Sequence, residues 1–157
     1  MRILGVDSSG MVASVALVED DLLVAEYLVN YKKTHSQTLL PMLDEIVKMT
    51  ELDLNTIDAI AVAAGPGSFT GLRIGAATVK GLGLALEKPV ISVPTCHGLA
   101  YNLWGSDKLI CPIMDARRSQ VYTGIYEFAK DGMQVFLDQS AMDIRALAGK
   151  SNALGRE

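Results

Sequence analysis

Residues 57–86, IDAIAVAAGPGSFTGLRIGAATVKGLGLAL, constrain this chain more than any other stretch. A short run of small apolar residues, 57–63, stops at Gly65-Pro66-Gly67 and reads as a buried strand ended by a tight turn. Beyond the turn, Ser68 or Thr70 is placed to cap the free amides of a helix, and small or apolar residues continue at helical spacing to Leu86. Leu72, Ala76, Val79, Gly83 and Leu86 fall on one side of that helix. Ile74, Ala77, Gly81, Leu84 and Ala85 fall on another, leaving Arg73, Lys80 and Glu87 as a narrow polar stripe. A sheet covers one apolar side; the other is covered either by the rest of the same domain or by another subunit. Gly71, Gly75, Gly81 and Gly83 each cost about 1 kcal/mol against alanine in a helix interior, a cost that close approach of another backbone explains.

A glycine turn ahead of a helix also suits an anion, because free helix amides and the helix dipole point at it. The run matches neither GxGxxG nor GxxxxGK[ST], so the residues alone favour a structural turn.

The remaining chain supplies partners for this strand-turn-helix unit. Residues 2–7, 11–19 and 22–30 alternate or run apolar, with Asp20-Asp21 as a turn, and predict a three-stranded meander. Residues 37–50 predict a helix with Leu39, Leu43, Ile46 and Val47 on its core side, Ser36 as cap and Pro41 weakening its first turns. After Lys88-Pro89 breaks the long helix, residues 90–93 read as a strand, and Thr95 is placed to cap a helix running to about residue 103. A seam at residues 105–107 precedes strands at 108–114, 120–128 and 133–138 and a short helix at 143–147. The pattern is that of an α/β sheet of mixed direction, restarted once.

With 157 residues, 50% of them hydrophobic, the chain can bury the core of one domain or of one domain and part of a second. A net charge of -4 and a pI near 5.1 argue against a free-standing nucleic-acid binder, and Lys32-Lys33 and Arg117-Arg118 are too small to form an RNA groove. Cys96 and Cys111 fit core thiols of a reducing compartment better than a disulfide framework or a metal quartet. The apolar run in MRILGVDSSG is too short for a signal peptide, and no stretch approaches the length of a membrane span. The expectation is a cytoplasmic protein without membrane contact.

AGPGSFTGLRIG followed by a small-residue helix and KPVISVPT, together with ILGVDSS, THSQTLLPML and DARRSQVY, resembles the TsaB (YeaZ) family over about residues 1–128. Members of that bacterial family take part in making threonylcarbamoyladenosine in tRNA. The resemblance implies the duplicated actin/Hsp70-like (ASKHA) α/β fold, with a first lobe at 1–105 and the start of a second at 106–157. The second lobe's covering helices are then expected beyond this chain, leaving apolar positions such as Ile125, Val135 and Leu137 exposed.

For function, the resemblance implies a non-catalytic subunit that pairs with a TsaD-like catalytic subunit, works with a TsaE-like ATPase, forms a homodimer in their absence, and meets tRNA only through the complex. ATP and metal are then expected on the partner subunit and none on this chain alone. Pairing is implied through helices 37–50 and 70–87, with Leu40, Met42, Leu43, Gly75, Thr78 and Gly81 as candidate contacts. The competing reading is an actin-fold ATPase or kinase, or a glycoprotease-like hydrolase, acting on its own. Against it, Asp7-Ser8-Ser9-Gly10 departs from the DxGxT hairpin of such ATPases, and Asp115-Ala116-Arg117-Arg118 lacks the answering glycines that let backbone approach phosphate. Thr95 and Leu99 stand where TsaD carries two metal-binding histidines, and His97 falls on a different helical face. Ser68 lies outside a GxSxG elbow, and adjacency alone does not make Cys96 and His97 a dyad. His35 is expected in the loop before its helix.

Overall fold

The computed structural model describes residues 1–31 and 34–155, so the Lys32-Lys33 pair lies outside the described residues. The chain divides into two compact units, Met1–Val93 and Pro94–Glu157.

In the first unit, three strands, β1 (Arg2–Asp7), β2 (Ala13–Glu19) and β3 (Leu22–Val29), form the antiparallel meander. Two more, β4 (Ala59–Ala63) and β5 (Val90–Val93), add in parallel on the other side of β1, giving the order β3-β2-β1-β4-β5. Period-two alternation puts Leu4, Val6, Val15, Leu17, Ile60 and Val62 on one face, and helices α1 (His35–Thr50) and α2 (Phe69–Leu86) cover it. Leu39, Met42, Leu43 and Ile46 of α1 and Val79 of α2 complete that core.

Several boundaries move for local reasons. β2 begins at Ala13 rather than residue 11, because residues 8–12 are taken up by the bends that leave β1. α1 starts at His35 with Thr34 as its N-cap, and Ser36 does not cap it; its hydroxyl instead meets the Thr34 hydroxyl at 3.0 Å. Pro41 sits inside α1, which runs on through it, the loss being confined to one helical amide. A single 3-10 turn, Leu54–Thr56, capped by the Asp53 carboxylate, shortens the predicted strand so that β4 starts at Ala59.

The second unit holds α3 (Thr95–Tyr101) and an antiparallel sheet of β6 (Ile113–Asp115), β7 (Gln120–Ala129) and β8 (Gly132–Asp143), followed by α4 (Ile144–Ala153). Cys96 and Ala100 of α3 pack with Ile110 and Tyr126, so α3 groups with this unit and the division falls ahead of the 105–107 seam. Thr95 is buried as the first residue of α3, and Pro94 takes the N-cap position without a side-chain cap. The strand expected at 108–114 reduces to β6 and an isolated bridge between Ile110 and Tyr126, while β8 extends to Asp143. Val135 is exposed as expected, but Ile125 is buried and Leu137 half-buried, because Ile125 lies on the side of β7 that packs inward. Among the described residues no helix is long and apolar enough to cross a membrane.

Candidate partner-binding face

Because β1 and β4 run parallel and adjacent, their carboxyl ends bring Ser8-Ser9-Gly10 against the Gly65-Pro66-Gly67 turn. The two loops are bonded tightly. The Ser68 amide donates to the Ser9 carbonyl at 2.6 Å, the Ser8 hydroxyl donates to the Gly71 carbonyl at 2.9 Å, and Ser8 and Ser9 are both buried. His35, the first residue of α1, donates from Nε2 to the Gly10 carbonyl at 2.9 Å and ties the same loop to the other helix. Sequence placed His35 near this helix start without identifying its bond.

This contact explains the glycines at the start of α2. Gly71 and Gly75, four residues apart, share one helical face, and Gly67 lies in the turn just ahead of it. A Cβ at Gly67 would clash with Ser9, one at Gly71 with the Ser8 carbonyl oxygen, and one at Gly75 with the Ser8 hydroxyl. The close approach therefore lies within this chain and not with a partner. Two of the amides near an anion's place are already engaged: the Ser9 amide donates to Asp7 Oδ1 at 2.7 Å, and the Gly71 amide donates to the Ser68 hydroxyl that caps α2.

On its other side α2 exposes Ala77, Gly81, Leu84 and Ala85, flanked by exposed Arg73 and Lys80. Leu84 is 83% exposed, and a Cβ at Gly81 would meet nothing within 4 Å. On α1, which packs beside α2, Leu40 is 53% exposed and shares the outward surface with Asp44 and Lys48, an i,i+4 ion pair. Of the six residues expected to contact a partner, Leu40 and Gly81 face outward and Thr78 is half-buried. Met42, Leu43 and Gly75 are buried within this chain and so differ from their expected role, while Ala77 and Leu84, which the sequence puts on the same side as Gly81, take outward places. The exposed face is thus a narrow apolar strip on α2 bordered by charged side chains of both helices, the kind of surface that a second helical pair covers by ridge-into-groove packing.

In the second unit, Cys96 and His97 are neighbours on α3, and each is engaged differently. The Cys96 side chain is fully buried against Tyr126, and burial raises its thiol pKa. The His97 ring meets Tyr126 edge-on at 5.2 Å, with Nε2 3.7 Å from an Asp138 carboxylate oxygen. Burial also raises the Tyr126 hydroxyl pKa well above its ordinary value. Both shifts keep the Cys96 thiol and the Tyr126 hydroxyl protonated, opposite to the electropositive, partly open surroundings that activate a thiol. Alkylation with iodoacetamide at pH 8 should therefore modify half-buried Cys111 slowly and Cys96 only after unfolding, as read by mass spectrometry of each peptide. Among the described residues no cluster of three His, Cys, Asp or Glu side chains forms a metal site.

The protein-family model for TsaD, tRNA N6-adenosine threonylcarbamoyltransferase, matches residues 23–155. The tRNA threonylcarbamoyladenosine biosynthesis protein TsaB of Bacillus subtilis is 40% identical over 144 residues, which are 90% of this chain and 62% of that relative. The protein of the same name from Escherichia coli is 37% identical over 136 residues, 85% of this chain and 58% of the relative. The chain thus spans about three fifths of the length of these curated relatives. Among solved structures, YeaZ from Pseudomonas aeruginosa superposes with a TM-score of 0.79 at 31% identity, covering 90% of this chain and 67% of that one. These matches and the β3-β2-β1-β4-β5 order place both units in the actin/Hsp70-like α/β fold.

Proposed function

This chain belongs to the TsaB (YeaZ) family, within the wider group described by the TsaD model, and on that footing we propose that it is a non-catalytic subunit of a tRNA threonylcarbamoyladenosine-forming complex. Its task is to pair with and support a TsaD-like catalytic subunit, through the outward face of α1 and α2. Nucleotide and metal are held by that partner, a TsaE-like ATPase joins the assembly, and tRNA is met through the complex. Without the partner, two copies of the chain pair through the same face. The observation that carries this reading is the apolar strip of Ala77, Gly81 and Leu84 on α2, exposed together with Leu40 of the neighbouring α1 while Gly71, Gly75 and Val79 of α2 are buried against the sheet and Ser8. Apolar strips on rigid helices cost free energy in water that a helical partner recovers.

The test is reconstitution. Mixed with a TsaD-like subunit, the chain should co-elute as a stoichiometric complex on size exclusion and bind no magnesium-ATP by itself in calorimetry. Stoichiometric ATP binding and turnover by the isolated chain would replace this reading with that of an independent ATPase.

A further inference from the structure

A groove of about 380 Å³ separates α2 from the open edge of the first sheet. Its apolar wall is Leu72, Ala76 and Val79 on α2, and its floor is Val62, Val90 and Ser92 on β4 and β5. The helix meets β5 closely near its carboxyl end, where a Cβ at Gly83 would lie 2.7 Å from Val90 Cγ2, and the groove opens toward Phe69, which is 74% exposed.

Three features bear on what this groove can hold. First, β5 is the last strand of its sheet. Its neighbour β4 is served by Pro89 and Val93, whose carbonyls accept from Ile60 and Ala64, so by parallel pairing Val90 and Ser92 turn their own main-chain groups to the open side. The residues that offer a free backbone edge are therefore those whose side chains floor the groove. Second, Arg73 and Lys80 line the groove, are exposed, and pair with no carboxylate among the described residues, in a chain whose net charge is -4. Third, Arg73 is held at the mouth, its guanidinium 5.4 Å from the centre of the Phe69 ring.

We propose that this groove docks an extended, acidic and apolar segment of a partner protein, which adds as a strand to β5 and places its carboxylates against Arg73 and Lys80. The two cations are seven positions apart on α2, about 10 Å along the helix axis. Side chains at i and i+4 of an added strand are about 13 Å apart on one face, within reach of both flexible cations, with the side chain at i+2 between them over Leu72 and Val79. The segment therefore reads acidic, apolar, acidic at alternate positions. Main-chain bonds supply affinity and the groove supplies selectivity, as in other strand-addition sites. Arg73 and Lys80 stand between this groove and the outward strip, but the groove lies on the sheet side of α2 and its occupancy does not depend on the subunit pairing proposed above.

The probe is the acetylated peptide Thr-Glu-Thr-Val-Thr-Glu-Thr, labelled for fluorescence anisotropy and titrated into the whole chain, with amide shifts recorded by NMR. Saturable binding is expected, with shifts concentrated in β5 and along the groove side of α2. Ser92→Pro removes an amide that the sheet itself does not use and should abolish binding without changing the circular dichroism. Arg73→Gln and Lys80→Gln should each weaken binding about threefold, in line with exposed ion pairs, while Leu40→Arg should leave it unchanged. Absence of binding at millimolar peptide, binding that survives Ser92→Pro, or shifts centred on Leu40 and Gly81 would overturn the proposal. So would peptide-free self-association lost in Ser92→Pro, which would assign the edge to a second copy of the chain.

Discussion

Adding one methyl group at Gly71 is expected to destabilise the first unit by about 2–4 kcal/mol. The Cβ would enter the space of the Ser8 carbonyl oxygen and come within 3.2 Å of His35 Cδ2, so the obstruction is backbone and a bonded ring, neither free to rotate away. Overpacking of this kind costs about 1–3 kcal/mol, and moving α2 outward also loses the Ser8 hydroxyl bond to the Gly71 carbonyl, worth about 1 kcal/mol. Against a total stability of about 5–15 kcal/mol for a domain, that is a large fraction. The matched control is Gly81→Ala on the same helix, where the added Cβ meets nothing within 4 Å and helix propensity alone predicts a gain of about 1 kcal/mol. Urea unfolding followed by circular dichroism separates the two. Equal midpoints for the two variants would mean that the loop contact does not set the position of α2.

Gly81→Arg is the second large effect, and it acts on association more than on folding. Open space around Gly81 lets the arginine extend into solvent in the isolated chain, so the circular dichroism should stay near that of the unsubstituted protein, and melting should rise by the few degrees that losing a helix-interior glycine brings. In a helical interface the same side chain buries an unmatched cation between apolar strips, at a cost of about 3 kcal/mol or more. That corresponds to a loss of about a hundredfold or more in affinity for both a TsaD-like subunit and a second copy. Analytical ultracentrifugation measures both. Unchanged affinity would place the interface on another surface and leave α2 as an interior element only.

Much of the first unit was legible because its signals are local. Strand alternation in β1 and β2, the Gly65-Pro66-Gly67 stop and the Ser68 cap each act within a few residues, and β5 was read with its bounds intact. The purpose of the glycines was not legible. Gly71 and Gly81 look alike in sequence, and only the fold shows that one lies against Ser8, sixty-three positions away, while the other lies in open space. The same reason accounts for Gly75, Met42 and Leu43: a helix apolar on several sides does not announce which one the sheet takes, and a rotation of one residue exchanges core for surface. In the second unit, Ile125 looked like part of an exposed strand face, whereas residues 108–114 could not reveal that they would make only one bridge and a three-residue strand.

Radical footprinting of the chain alone and in the presence of a TsaD-like subunit tests the partner-binding face most directly. Leu40 and Leu84 stand 53% and 83% exposed on the two helices, and Met11, 87% exposed in the loop before β2, serves as the reference. Pairing through α1 and α2 predicts that oxidation of Leu40 and Leu84, read by mass spectrometry, falls several-fold in the complex while Met11 reacts as before. Unchanged reactivity of Leu40 and Leu84 in a complex that demonstrably forms, with protection appearing instead at Leu22 and Leu28 of β3, would contradict the account.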